Sequence, residues 1–168
     1  MNRLLFPVFG FVVVAAIVIG ALYSNRGSRM ELNGEIKKVR IHAIGDRSSV
    51  AIIDFRLSNP ADYPFMIRTV QLFLDPAGDP TTSVEGAVVA EVDVRRLFDA
   101  VPELGPKYND SLKVRDRLEP KSTNDRMIAA RFDLAAADLE RRLRFRVRLV
   151  DLDSSGSVSE IGESKAKQ

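Results

Sequence analysis

Cysteine and tryptophan are missing from the chain, and histidine occurs once, as His42. Without cysteine there are no disulfides and no thiolate metal sites. A lone histidine cannot anchor a common zinc site, so no metal is expected. No serine is spaced as a nucleophile elbow or as a hydrolase triad with His42. No glycine-rich loop cradles a phosphate. The chain also lacks a body of one charge sign: residues 31–153 hold 20 Lys and Arg against 21 Asp and Glu. The pI of 9.0 arises at the ends, where Arg3, Arg26, Arg29, Lys165 and Lys167 outnumber Glu160 and Glu163. A near-neutral body gives no general attraction for nucleic acid. These absences point away from an enzyme, a cofactor and a nucleic-acid partner.

The most apolar stretch is Leu4–Leu22, LLFPVFGFVVVAAIVIGAL, which is uncharged over 19 residues. As a helix it spans about 28 Å, close to a bilayer core of about 30 Å. A cleaved signal peptide has a shorter apolar core and a small-x-small cleavage site, which Ile19-Gly20-Ala21 supplies poorly. The favoured reading is a single transmembrane anchor at 4–22, after a tail at 1–3 and before a polar linker at 23–30. A cleaved signal and a buried core helix are the alternatives. Arg3 on one side and Arg26 and Arg29 on the other leave the positive-inside rule almost balanced. The short tail favours a signal anchor with the domain outside the cytoplasm, so the expected location is a single-pass membrane protein.

Residues 31–153 read as one β domain. Val39, Ile41 and Ala43 alternate with Lys38, Arg40 and His42, and Gly45–Ser48 reads as a hairpin turn. Ala51, Ile53, Phe55 and Leu57 then share one parity, with Asp54, Arg56 and Ser58 on the other, the pattern of a strand with one buried and one wet face. Asn59-Pro60 and Tyr63-Pro64 break the run, because proline cannot donate to a ladder. A strand from Phe65 to Leu74 follows, ending at Asp75–Gly78, and another covers Val84–Ala90. Asp93 is placed to cap a helix in which Val94, Leu97, Phe98 and Val101 share a face. Pro102 and Leu104-Gly105-Pro106 stop it. Leu112 and Val114 mark a fifth strand and Met127–Phe132 a sixth. Ala135–Arg142 fits a helical turn or short helix. Leu143–Val150 alternates most strictly, with Leu143, Phe145, Val147 and Leu149 against Arg144, Arg146 and Arg148. The Ser-, Gly-, Glu- and Lys-rich tail, 154–168, is expected to be disordered. About seven strands with one inserted short helix predict a mainly β fold, an antiparallel immunoglobulin-like β-sandwich preceded by a single transmembrane helix.

The alternating strand, Asn59-Pro60, the short proline turn and the following strand IRTVQLFL resemble late embryogenesis abundant group-two domains, also called water-stress and hypersensitive-response domains, related versions of which occur in bacteria. The resemblance spans roughly residues 35–151. It implies a seven-stranded sandwich with an inserted helix and an association with desiccation stress. It supplies no catalytic residue.

Arg144, Arg146 and Arg148 are the candidate contact residues, extended by Arg141 and Arg142. Same-parity residues of one strand lie about 6.6–6.8 Å apart, so three guanidiniums could hold phosphates, lipid headgroups or an acidic partner. The plainer reading pairs them with carboxylates on a neighbouring strand, such as Asp54 or Asp133. Asp151-Leu152-Asp153-Ser154-Ser155-Gly156 imitates the start of a calcium loop, but its twelfth position is Gly162 instead of glutamate. Asp125-Arg126 with Asp116-Arg117 is a candidate buried or cross-strand ion pair. The expected function is non-enzymatic: a membrane-anchored module that binds another protein or an envelope component through sheet edges or the Tyr108–Asp110 segment. A stress-protective role and anion binding through the arginines are the alternatives.

Overall fold

The computed structural model describes residues 31–78, 81–152 and 157–163. Leu4–Leu22 and the linker 23–30 lie outside the described residues, and so does Pro80. No helix among the described residues is long and apolar enough to cross a membrane.

The fold is mainly β and antiparallel, as the alternation predicts. It comprises β1 (Asn33–Gly45), β2 (Ser48–Ser58), β3 (Phe65–Asp75), β4 (Val84–Val88), β5 (Arg117–Leu118), β6 (Thr123–Phe132), β7 (Arg144–Asp151) and β8 (Val158–Gly162), with helices α1 (Glu91–Ala100) and α2 (Ala136–Glu140) and a 3-10 turn at Pro102–Leu104. The strands form one sheet in the order β1-β2-β6-β4-β3-β7-β8, with β5 paired to β3, and this sheet curls into a half-barrel. Short β4 makes the curl, pairing β3 through Val84–Gly86 and β6 through Ala87 and Val88. At Gly86 a Cβ would stand 2.6 Å from Phe132 Cζ and 2.9 Å from Ala130 Cβ, so only glycine lets β4 lie over the Phe132 ring.

The inside of the curl is filled by one large apolar cluster. β2 contributes Ala51, Ile53, Phe55 and Leu57, β7 contributes Phe145, Val147 and Leu149, and Leu139 of α2 and Ile161 of β8 complete it. Phe132 and Phe145 meet with ring centroids 5.9 Å apart. Two bulges shift the inward parity. In β1 the pairing slips between Ile36 and Lys38, so Ile36 and then Val39 and Ile41 pack on the core. In β3 it slips between Ile67 and Thr69, so Phe65 and Ile67 face inward first and Leu72 and Leu74 after. One extra residue in a ladder reverses every later side chain.

Four expectations are corrected. The strand count is eight: β8 lies inside the stretch expected to be a disordered tail. Two buried side chains of one parity explain it, since Ile161 is buried in the core while Ser159, also buried, accepts a hydrogen bond from Leu32 N at 2.8 Å. The fifth strand is Arg117–Leu118, not Leu112–Val114; Leu112 instead donates its N–H to Met127 O at 2.8 Å beside a parallel bridge between Ser111 and Met127. The helix begins at Glu91, so Asp93 sits in its first turn and Ala90 holds the cap position without a side-chain bond. Finally, β2 is buried on both faces. Val50 and Ile52 form a second cluster with Met127, Ala129 and Leu104, covered by Val94, Leu97, Phe98 and Val101 of the helical segment. Asp54, expected to be wet, is 3% exposed.

A Gly86→Ala substitution is expected to destabilise the fold by about 1–3 kcal/mol in urea unfolding, because a methyl group meets Phe132 in a filled interior. Gly45→Ala, with open space around its Cβ, is expected to stay within about 0.5 kcal/mol.

Candidate functional site

On the outer face of the curl, β7 presents Arg144, Arg146 and Arg148 in one row, opposite Asp75, Phe73 and Gln71 of β3. Strand alternation puts them there, since their neighbours Phe145, Val147 and Leu149 are wholly buried. The row is internally neutralised. Asp75, 1% exposed, accepts from Arg144 Nε at 2.7 Å and from Arg146 Nε and an Arg146 terminal nitrogen at 2.9 and 3.0 Å. Ser83 Oγ donates to Asp75 at 2.6 Å and accepts from Arg146 at 2.7 Å. Glu160 of β8 accepts from Arg146 at 3.1 Å and stands 3.9 Å from Arg148 Nε. Burial alone would raise the pKa of the Asp75 carboxyl, but hydrogen bonds from Arg146, Ser83 and Arg144 outweigh it and hold it well below the ordinary carboxylate range. The same bonds raise the Arg146 guanidinium. Arg146 also lies 5.6 Å above the Phe73 ring. Arg142 is engaged separately, in a bidentate pair with Glu163 at 2.5 and 2.9 Å.

Neighbouring strands thus supply the carboxylates, as the plainer reading held, but they are Asp75 and Glu160. The two first suggested are used elsewhere: Asp133 pairs with Arg131 at 3.3 Å and Asp54 with Arg40. What remains open to solvent is the flank, with Arg144 and Arg148 side chains 50% and 41% exposed against 20% for Arg146.

The second charged constellation lies on the opposite wing and is not visible as a motif. Arg40 of β1 reaches Asp54 of β2 at 2.5 Å, with both side chains at most 7% exposed. Its other terminal nitrogen donates to Leu104 O at 3.1 Å and Pro106 O at 3.0 Å. Asn109 donates to the free oxygen of Asp54 at 2.9 Å. The Arg40 guanidinium lies 4.9 Å from the Phe98 ring centroid and 5.9 Å from that of Tyr108, and Lys38 Nζ lies 5.4 Å from Tyr108 on its outer side. Arg40 therefore staples the segment after α1 to the sheet, and Tyr108, 64% exposed, stands over the staple. Lys107 ties the same segment to Glu91 of α1 at 3.3 Å. Alongside runs the outer edge of β1, which among the described residues pairs with β2 alone. β8 abuts its start, where Ile161 leans on Gly34.

The other predicted positions do not assemble into a site. His42 sits half-buried in β1 opposite Val50, and no cluster of metal-ligating side chains occurs among the described residues. Asp125 pairs with Arg56 at 2.7 and 2.9 Å and not with Arg117. Arg117 pairs with Glu119 at 3.0 Å. Of the calcium-like stretch, Asp151 ends β7 and accepts from Met66 N at 3.2 Å, Gly162 lies in β8, and residues 153–156 are outside the described residues. An open groove of about 460 Å³ runs between Leu74, Pro76, Val84, Leu134 and Arg141; it is mostly apolar and holds no convergent set of polar groups. The chain matches no protein-family model, no curated protein and no solved structure.

Two outcomes follow from these ion pairs. Asp54→Leu leaves Arg40 buried and unpaired, and is expected to cost about 3–5 kcal/mol in urea unfolding, whereas the double variant Arg40→Met/Asp54→Leu recovers most of that loss. Because the pKa of Asp75 is depressed by folding, its contribution is complete above the unfolded carboxylate value of about 3.9 and fades as pH falls below it. The stability gap between the natural chain and Asp75→Asn is therefore expected to be largest near neutral pH and to shrink below about pH 4 in urea titrations.

Proposed function

We propose that this chain is a non-enzymatic, membrane-anchored β module that binds another protein or envelope component. The supporting observation is the outer edge of β1, which beyond its start, where β8 abuts it, pairs with no strand on its far side among the described residues. Such an edge accepts an extended segment by strand addition. Lys38 and Tyr108 beside it supply a cation and an exposed aromatic ring, the residue types that anchor interfaces. Glu35 and Lys37 pair with each other on the strand, and charges of this kind keep an edge from indiscriminate pairing. An anchor at Leu4–Leu22 would confine the search for a partner to the membrane plane, with the domain outside the cytoplasm.

In this reading the curled sheet is a variant of the immunoglobulin-like sandwich, with β1-β2-β6 and β3-β7-β8 as its two layers and β4 as the hinge strand. The support is the single core that both wings share.

A stress-protective role is the second reading, and the Asn59-Pro60 turn favours it. Asn59 is 1% exposed. Its amide donates to Tyr63 O at 2.9 Å and Leu118 O at 3.2 Å, and its oxygen accepts from Ala61 N at 3.1 Å. The residue that carries the resemblance to the late embryogenesis abundant group-two domains is thus the pivot of its turn, as a fold-defining motif should be.

Cross-linking in intact cells, followed by purification of the C-terminally tagged full chain, tests the binding reading. One partner in near-equal amount is expected, with recovery reduced about tenfold or more by Tyr108→Ala or Lys38→Glu, as for a hot-spot contact. A diffuse set of contacts, unchanged by these variants and accompanied by protection of unrelated enzymes through drying, would overturn it in favour of the protective role.

A further inference from the structure

Four of the large apolar side chains exposed among the described residues lie at one end of the half-barrel, the end where the chain enters. Asn33 pairs with Ser58, and Leu32 N bonds Ser159, so Glu31 emerges beside the β2–β3 turn and the start of β8. The end of β7, the start of β8 and the turn before β5 lie at the same end, because Ile67 pairs with Asp151, Val150 with Val158 and Phe65 with Leu118. Tyr63, Val114, Leu152 and Val158 are exposed there at 43%, 59%, 45% and 38%.

These side chains are carried on fixed backbone. Asn59 holds Tyr63 O, Leu152 N donates to Met66 O at 2.8 Å, Asp151 N donates to Ser157 O at 2.9 Å and Arg115 N donates to Ile67 O at 2.7 Å. Four apolar groups are therefore presented to the outside on or next to hydrogen-bonded backbone. Lys113 and Arg115, both exposed, flank Val114 and form no salt bridge among the described residues. By contrast Arg117 and Lys121 at the same end are matched by Glu119 and Asp62.

The sequence sets how far this end can stand from a bilayer. Eight residues, 23–30, separate Leu22 from Glu31, and fully extended they reach at most about 26–29 Å. They include Arg26 and Arg29. Apolar side chains rimmed by unmatched cations are what a headgroup region accepts, the former at the acyl boundary and the latter against anionic lipid.

We propose that this end of the domain rests on the lipid surface, with Tyr63, Val114, Leu152 and Val158 seated among the headgroups and Lys113 and Arg115 on anionic lipid. The proposal rests on reading Leu4–Leu22 as the anchor. It fixes the orientation of the domain: the β1–β2 hairpin, with Ile44 at 57% exposure, points away from the membrane. The edge of β1 then rises from the surface, open to a partner from the side.

The absence of cysteine makes the test direct. Full-length chains carrying Tyr63→Cys, Val114→Cys or Leu152→Cys, and controls carrying Ile44→Cys or Val92→Cys, are labelled with an environment-sensitive fluorophore. They are reconstituted in phosphatidylcholine–phosphatidylglycerol vesicles containing headgroup-nitroxide lipid. Quenching at 63, 114 and 152 is expected to exceed that at 44 and 92 by about twofold or more, as for side chains buried about 5–10 Å into the interface. It is expected to weaken in Lys113→Glu/Arg115→Glu and in vesicles of phosphatidylcholine alone. Equal quenching at both sets, in a chain retained by the vesicles through an alkaline wash, would overturn the docked end and leave the anchor standing. Release of the chain by that wash would overturn the anchor, and the docked end with it.

Discussion

The double burial of β2 is the constraint on which the rest of the structure depends. A strand covered on one side only needs a single apolar face, but Val50 and Ile52 are as deeply buried as Ala51 and Ile53. Two separate devices provide the cover. Curling of the sheet through β4 brings β7 and β8 over one face. The helix α1 and the turn that follows it close the other. Each device has one tight point: Gly86 under the Phe132 ring in the first, and Arg40 on Asp54 in the second. Asp54 falls on a buried face because its strand must be covered there, and a carboxylate in that position requires a cation and further hydrogen bonds. Arg40 and Asn109 bond the two Asp54 oxygens, and the carbonyls of Leu104 and Pro106 accept from the far terminal nitrogen of Arg40. They also tie the covering segment down.

The sequence was most informative where the alternation is unbroken. Leu143–Val150 places its arginines outward and its apolar residues inward, and the α1 face of Val94, Leu97, Phe98 and Val101 packs as spaced. It misled where one residue changes the phase. Ile36–Ile41 and Ile67–Leu72 each contain a bulge, and a bulge is set by how two strands meet, not by local preference. It misled again at Asp54, whose polar parity reads as solvent until Val50 and Ile52 on the same parity are weighed. That apolar pair is the signal that could have found the second cluster. The tail strand β8 was missed for a related reason. Ser159 and Ile161 alternate over too few residues to stand out from a polar stretch. The partner that buries Ser159 is Leu32, 127 residues away in the chain. Arg40 carries no local mark at all, because its partners come from β2 and from the turn after α1.

The arginine row shows how the same composition can read as a binding site or as a structural clamp. Three guanidiniums on one strand form an anion rail only if their counter-charges lie elsewhere. Here Asp75 is buried beneath Arg144 and Arg146, and its pKa is held low by the bonds that it accepts from them and from Ser83. An anion seated across the middle of the row would have to compete with a carboxylate that is already desolvated and fully hydrogen-bonded, and it would gain little in exchange. Only the flanks, Arg144 and Arg148, keep solvent-facing guanidinium surface. The row therefore fastens β3, β7 and β8 into one wing, as Arg40 fastens α1 to the other. With both strongest cation clusters committed to holding the fold, the proposed contact surfaces are the outer edge of β1 beside Lys38 and Tyr108, and the end where the chain enters, where Lys113 and Arg115 form no salt bridge among the described residues. The first is long and polar, suited to a protein strand. The second is compact, apolar and basic, suited to lipid. A chain held at the membrane by one surface leaves the other free along its side, so the two readings fit a single arrangement.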